Sequence, residues 1–348
     1  METTTEQVKE YYGKILKTNQ DLKTNACCLS ESIPAYQREI LSQIPAEVLE
    51  KFYGCGSPIP LALKGKIILD LGCGSGRDVF LLSALAGSQS RLIGIDMTDE
   101  QLAVAKRALP AHLDRFRFPK EAVEFKKGFI ENLRDVGIED NSIDIIVSNC
   151  VINLSPDKAS VFREIFRVLK PGGELYFSDV FASRRLPETL SQDPVLLGEC
   201  LGGALYFEDF RRLLLNLGIR DYRIVSSSKI KVSDPTTEAK LGATEFYSNT
   251  IRAFKLDLED RCEDYGQAAI YKGGIPHSEE IFILDDHHTF ERNRPMLVCS
   301  NTADMLSKSR YGEYFSILGD QSKHFGLFDC LPSSVLKSSE NTSPGGCC

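Results

Sequence analysis

The sequence predicts an α/β protein: a doubly wound, mostly parallel Rossmann-like sheet followed by a small α+β C-terminal unit. Three observations carry this. From residue 66 onward, apolar runs of strand length alternate with amphipathic helical stretches, the pattern of βαβ units. A glycine-rich segment, Asp70-Leu71-Gly72-Cys73-Gly74-Ser75-Gly76, falls between the first such strand and the first helix. A second strand, Ile93-Gly94-Ile95-Asp96, ends in an acid, placed to hold the ribose hydroxyls of a nucleotide-like ligand bound at that loop.

Residues 1–64 lack strand alternation. Glu6 to Leu16 and Ala35 to Phe52 read as helical, punctuated by Pro34 and Pro45. Strands follow at 66–71, 91–96, 123–128, 143–149 and 174–179, with helices near 77–86, 99–108, 131–135 and 157–169. Leu169-Lys170-Pro171-Gly172-Gly173 ends the last helix, because proline cannot continue it and glycine accepts positive φ. Phe207 to Leu217 is a further amphipathic helix, and strands at Tyr222 to Val232 and Glu245 to Leu256 complete the sheet. Short strands at Gln267 to Tyr271 and Glu280 to Leu284, with a helix near Ala303 to Ser309, form the C-terminal unit. Four segments are therefore expected: a thiol-bearing helical segment, 1–64; the main α/β domain, 65–257; a small domain, 258–320; and a cysteine-ending tail, 321–348. From Leu331 its Ser/Pro/Gly-rich composition reads as disordered.

A chain of 348 residues can bury a full core and hold one large domain beside a smaller one. Its net charge of −8, with no Lys/Arg stripe, excludes nucleic acid as an expected partner. The N-terminus is polar, and no apolar run reaches the length of a membrane span; the reading is a cytoplasmic protein without membrane association. Eleven cysteines, an odd count, argue against a disulfide framework, and without a C-x2-C pair a zinc ribbon is disfavoured.

The loop is not a dinucleotide fingerprint. Arg77 stands where G-x-G-x-x-G requires its third glycine. The actual pattern, D-x-G-x-G-x-G from Asp70 to Gly76, resembles the cofactor loop of class I S-adenosylmethionine-dependent methyltransferases. Lys170-Pro171-Gly172-Gly173 followed by the apolar strand Glu174 to Phe177 is similar to a second segment of that class.

The thiols then need placing. Cys150, in Ser148-Asn149-Cys150-Val151-Ile152-Asn153, follows the fourth strand on the edge where open α/β sheets bind ligands. Cys200, in Gly198-Glu199-Cys200-Leu201-Gly202-Gly203, follows the fifth strand on the same edge. Glycine neighbours of Cys55 and Cys200 contribute no packing side chains, which opposes a purely structural role. Cys27 and Cys28 form a doublet near the N-terminus. Cys73, Cys262, Cys299 and Cys330 read as small buried hydrophobes, the common fate of free cysteine. Soft thiolates facing a methyl donor suggest a thiophilic acceptor.

Thr24-Asn25-Ala26-Cys27, Phe52-Tyr53-Gly54-Cys55-Gly56, Gly94-Ile95-Asp96-Met97-Thr98, Ser148 to Leu154, Leu175 to Val180 and Gly198 to Tyr206 resemble segments of the arsenite methyltransferase family, in the same order. The resemblance implies methyl transfer from S-adenosylmethionine to trivalent arsenic, as arsenite or methylated arsenicals such as monomethylarsenite. It implies Cys150 and Cys200 as arsenic ligands. Cys55 and Cys27 are candidates for a third ligand and for a dithiol that reduces oxidised product and is recycled by thioredoxin or glutathione. For the cofactor it implies Asp70, Gly72, Gly74 and Gly76 in the loop, Asp96 on the ribose, Met97, Ile130 and Glu131 beside the adenine, and Tyr53 and Asn149. Arg77 either holds the cofactor carboxylate or is a surface charge.

Two other readings stand beside this one. A methyltransferase for a quinone or sterol-like acceptor would need a general base and a large apolar pocket; a non-catalytic metalloid-binding protein would not need an intact cofactor loop. Asp285-Asp286-His287-His288 reads as a solvated loop. Gly345-Gly346-Cys347-Cys348 reads as a metalloid-handling tail or as featureless.

Overall fold

The structure, a computed structural model, describes residues 33–54, 56–191, 193, 196–197, 200–231 and 235–330. Expectations on Glu6 to Leu16, Cys27, Cys28, Cys55 and the tail from Leu331 lie outside these residues.

The central sheet uses β1 (Ile67–Leu71), β2 (Arg91–Asp96), β3 (Val123–Lys127), β4 (Ile143–Asn149), β5 (Leu169–Ala182), a two-residue β6 (Leu205–Tyr206), β7 (Arg223–Lys229) and β8 (Phe246–Phe254). Their order is β3-β2-β1-β4-β5-β8-β7, with β6 beside β5. The first five and β6 pair in parallel; β8 runs antiparallel to β5 and to β7. Strand order reverses between β1 and β4, which opens a crevice at their carboxyl ends.

Two hydrophobic clusters hold the helices to this sheet. One joins α1 (Ala35–Leu41), α2 (Ala46–Glu50), α3 (Arg77–Ala86) and α4 (Asp99–Phe116) to β1–β3 through Val48, Val79, Leu82 and Leu102. The other joins α5 (Lys158–Val168) and α6 (Phe207–Asn216) to β4, β5 and β8 through Phe162, Phe177 and Phe210. Asp157 caps α5 by accepting from the Ser160 N–H at 3.0 Å, which satisfies one of the donors a helix start leaves open.

The C-terminal unit contains an antiparallel sheet ordered β13 (Pro295–Val298), β10 (Gln267–Tyr271), β14 (Phe315–Leu318). It also has the hairpin β11 (Ile281–Ile283)/β12 (Thr289–Glu291), the pair β9 (Glu263–Asp264)/β15 (Gly326–Leu327) and helix α7 (Ser300–Ser307). Tyr271, Phe282, Phe290, Tyr311 and Phe315 fill its core. A buried ionic cluster docks it on the main sheet: Glu174 of β5 lies 3.0 Å from Arg252 of β8 and also pairs with Arg310.

Three expectations are corrected. Residues 131–135 form turns rather than a helix, with Asn132 N–H donating to the Phe129 carbonyl; a span that short gives no second turn to propagate. Ordered structure continues past 320 into β15. Asp285 to His288 is not a solvated loop: Asp285 is 2 % exposed, paired with Arg223 at 3.2 Å and with His288 Nδ1 at 2.8 Å. A charged segment stays buried here because each charge finds a partner.

Candidate active site

The crevice between β1 and β4 deepens into a cleft lined by residues from five separate stretches of chain. The glycine loop supplies Asp70, Gly72, Cys73, Gly74 and Ser75; the end of β2 supplies Asp96, Met97 and Thr98; Phe129, Ile130 and Glu131 form one wall; Tyr53, Asn149 and Cys150 close the far end.

The loop needs its glycines for different reasons. Gly72 has φ +71°, and a Cβ there would lie 2.4 Å from the Val151 methyls. Gly74 has φ +52°, and a Cβ there would point into open space, with Gln101 Oε1 as its nearest neighbour at 4.0 Å. The main chain is thus left bare toward the cleft at Gly74. Gly76 does not line the cleft. It starts α3 in the left-handed conformation, and a Cβ would sit 2.8 Å from the Phe125 ring; its role is close helix–strand packing.

Asp96 braces the loop. One of its carboxylate oxygens accepts from the Gly74 N–H and the other from the Thr98 N–H, each at 2.8 Å. Burial raises its pKa, opposed by these backbone donors. Asp70 is raised further, by burial and then by the charges of Asp78 and Asp96. Each carboxylate oxygen of Asp96 has acceptor capacity beyond one backbone donor.

Asn149 connects the sheet edge to the N-terminal segment. Its Nδ2 donates to the Gly56 carbonyl at 2.9 Å and to Asp78 at 3.0 Å, while its Oδ1 accepts from Gly56 N–H at 3.3 Å. Cys55 itself is not among the described residues, but its neighbours Gly54 and Gly56 lie against Asn149 and Ser178. Arg77 is 3 % exposed, so it is not a surface charge. Its guanidinium pairs with Asp78 at 2.6 Å, lies 4.0 Å over the Phe52 ring and does not line the cleft.

Cys150 and Cys200 converge although 50 residues separate them. Both adopt left-handed backbone, φ 58° and 61°, uncommon for a side-chain-bearing residue. Both are buried, and Cys200 Sγ lies 3.3 Å from the Cys150 carbonyl oxygen. Cys150 faces the cleft and Cys200 stands behind it. Cys150 is disulfide-bonded, whereas Cys73, Cys200, Cys262, Cys299 and Cys330 are reduced. Burial pushes the Cys73 thiol up, with Asp96 adding to the effect, as befits a packing residue.

Sequence reasoning missed part of the lining, including Phe129, Gln101 and Ser155. Ser155 donates to Glu131 at 2.5 Å and so fixes that carboxylate. An aromatic and a serine in loops carry no periodic signal; only the fold brings them to the cleft.

Known proteins share this chain's sequence and fold. The methyltransferase domain profile matches residues 62–231, and the arsenite methyltransferase C-terminal domain profile matches 265–348. An arsenite methyltransferase of Aquipseudomonas alcaligenes is 53% identical over 325 residues, 93% of each chain. The chain belongs to the arsenite methyltransferase family. The human arsenite methyltransferase is 42% identical, covering 89% of this chain and 82% of that one. The crystal structure of an arsenic(III) S-adenosylmethionine methyltransferase from Chlamydomonas reinhardtii superposes with a TM-score of 0.82 at 47% identity, over 86% of this chain and 100% of that one. The family's fold is the mostly parallel sheet with added small C-terminal sheets seen here. Among the described residues, no helix is long and apolar enough to cross a membrane.

Proposed function

We propose that this protein transfers methyl groups from S-adenosylmethionine to trivalent arsenic held by the thiolates of Cys150 and Cys200. The observation that carries the reading is the convergence of these two cysteines at the cleft's far end, one facing the cleft and one directly behind it.

The cleft suits the cofactor. Bare backbone at Gly74, the Asp96 carboxylate below it and the apolar wall of Met97, Phe129 and Ile130 match a ligand with a charged amino-acid end, a ribose and a flat base. When bound there, S-adenosylmethionine supplies an electrophilic sulfonium methyl. The protein's own part is to hold the acceptor in line with it, and alignment of this kind can contribute on the order of 7–11 kcal/mol. Arsenic(III) keeps a lone pair and loses no proton as it accepts a methyl, so the chain need not provide a general base. Among the described residues, no histidine lines the cleft. Of the four carboxylates that line it, those of Asp78, Asp96 and Glu131 are engaged by Asn149, by loop N–H groups and by Ser155, and Asp70 lies buried on β1. This weighs against the quinone or sterol acceptor, and the intact loop weighs against a non-catalytic binder.

The disulfide at Cys150 gives the reductant a definite task. A thiolate must attack that bond and release Cys150 before it can hold arsenic. A dithiol or glutathione-class reductant, such as thioredoxin or glutathione, fills that role. Cys55 and Cys27 remain the proposed outer thiols, as third ligand and exchange partner.

Separation of arsenic species after incubation with arsenite, S-adenosylmethionine and a thiol reductant tests the proposal. Cys150→Ser and Cys200→Ser should each abolish methylated product, since a hydroxyl is a hard, poor ligand for arsenic, while cofactor binding by calorimetry persists. Normal turnover by either variant removes that residue from the site.

A further inference from the structure

Cys262, Cys299 and Cys330 read from sequence as three independent buried hydrophobes. The structure corrects this: their sulfurs all lie within 4.8 Å of one another. Cys299 is fully buried, while Cys262 and Cys330 are half-buried, so the cluster is reachable from solvent. None of the three lines the cleft.

The cluster is assembled by the fold. Cys299 is the N-cap of α7, and its sulfur accepts from the Thr302 N–H at 3.5 Å. Cys262 directly precedes β9, and Cys330 follows β15; the β9/β15 pairing and the Phe328 N–H to Cys262 carbonyl bond at 2.8 Å bring them together. Arg223 Nη2 stands 3.8 Å from Cys299 Sγ. That guanidinium is held by Asp221 at 2.8 Å and by Asp285 at 3.2 Å. Hydrogen bonds from the Cys262 and Cys330 thiols, then Arg223 and Thr302, hold Cys299 well below the usual thiol range. The same coupling pushes Cys262 up.

We propose that these three cysteines form a second metalloid site, which binds trivalent arsenic as a three-coordinate tris-thiolate outside the catalytic cleft. That arsenic is the physiological occupant rests on the methyltransferase reading; that the site takes a thiophilic three-coordinate centre rests on the cluster alone. Thiolates prefer soft centres. Among the described residues, no fourth His, Cys, Asp or Glu joins the group, whereas structural zinc takes four ligands. Charge points the same way. Arg223 is already shared by two carboxylates, so a tris-thiolate zinc anion would add negative charge to a site with one cation. The arsenic complex is neutral. Arsenous acid and three thiols give one As(S-Cys)3 centre and three waters: three As–O bonds break, three As–S bonds form, each thiol proton leaves with a hydroxide, and nothing is oxidised or reduced.

The test uses reduced full-length protein carrying Cys150→Ser and Cys200→Ser. It is incubated with arsenite, desalted, and analysed for arsenic per chain by mass spectrometry and for sulfur neighbours by arsenic X-ray absorption. Adding Cys299→Ser should remove one bound equivalent and the three-sulfur signature associated with it. Adding Cys330→Ser, at the half-exposed corner, should do the same with the circular dichroism spectrum unchanged, which separates ligand loss from misfolding. Unchanged arsenic content in both variants overturns the proposal. Tight zinc binding that arsenite does not displace also overturns it. A methylation assay on the unsubstituted chain separates the two readings: a chain that does not methylate arsenite but loses an arsenic equivalent with Cys330→Ser keeps this site and loses the proposed activity.

Discussion

Asp96 is the residue on which the proposed cofactor contact and local structure meet. Its carboxylate anchors both Gly74 and Thr98, so the loop conformation and the proposed ribose contact depend on one side chain. Asp96→Ala should weaken S-adenosylmethionine binding by ~1.5–3 kcal/mol, the usual range for hydrogen bonds to a charged group. Asp96→Asn, which keeps one acceptor, should lose less. Calorimetry showing equal affinity for wild type and Asp96→Ala would overturn the assignment. His112 gives a prediction of a different kind. It lies buried between Phe80, Phe116 and Phe118, with Ser83 Oγ 2.7 Å from Nε2. Burial lowers its pKa from 6.5 to about 4. As pH falls, the unfolded chain takes up the proton first. This histidine's contribution is therefore complete above the unfolded pKa and is lost as pH falls through the window from 6.5 to about 4. The shift corresponds to at most about 3 kcal/mol. Urea midpoints at pH 7 and pH 5 should differ less in His112→Phe than in wild type; an unaltered difference would show that other groups set the acid limb.

At the scale of elements, the glycine loop makes the strongest demand on backbone. Gly72→Ala combines a positive φ with a contact to Val151 at 2.4 Å. It should cost about 1–3 kcal/mol in stability and weaken cofactor binding by reshaping the loop. Adding Val151→Ala should relieve the clash and recover part of the loss, leaving the backbone strain. A double variant no better than Gly72→Ala, by urea denaturation and calorimetry, would show that strain alone decides. Such loops are legible in a sequence because glycine at those positions has a mechanical reason. So are β1, β2 and β4, whose apolar runs are bounded by turn residues and sit where the sequence places them. The parts that were not legible depend on long-range pairing. Residues 131–135 have helical composition but too little length. Arg77 looked like either a ligand clamp or a surface charge, and burial against Phe52 was invisible without α1, α2 and their connecting loops in place. The Cys262, Cys299 and Cys330 cluster depends on a two-residue strand pair, β9 with β15, that no local pattern announces.

At the scale of the molecule, the C-terminal unit is fastened to the main sheet by charges rather than by apolar contact alone. Glu174 is fully buried at the start of the inner stretch of β5, between Arg252 and Arg310, with the Tyr311 hydroxyl 3.4 Å away. Arg252 also lies 5.0 Å over the Tyr176 ring, and Arg310 lies 4.4 Å over Tyr311. Two guanidiniums thus share one carboxylate, and the aromatic faces absorb part of the excess positive charge. The members are not equivalent. Removing Arg252 leaves Glu174 paired with Arg310. Removing the Glu174 charge leaves two buried cations facing one another, the situation in which breaking a buried pair costs about 3–5 kcal/mol. Glu174→Gln should therefore destabilise the folded chain by that amount, and Arg252→Leu by clearly less. Cofactor affinity should hardly change in either, because Glu174 pairs with Ile145 near the start of β4, whereas the cleft lies past Asn149 at its other end. Urea denaturation beside calorimetry with S-adenosylmethionine separates the two effects. Equal stability loss from both substitutions, or a loss of cofactor binding without loss of stability, would show that this cluster shapes the cleft rather than joining the two units.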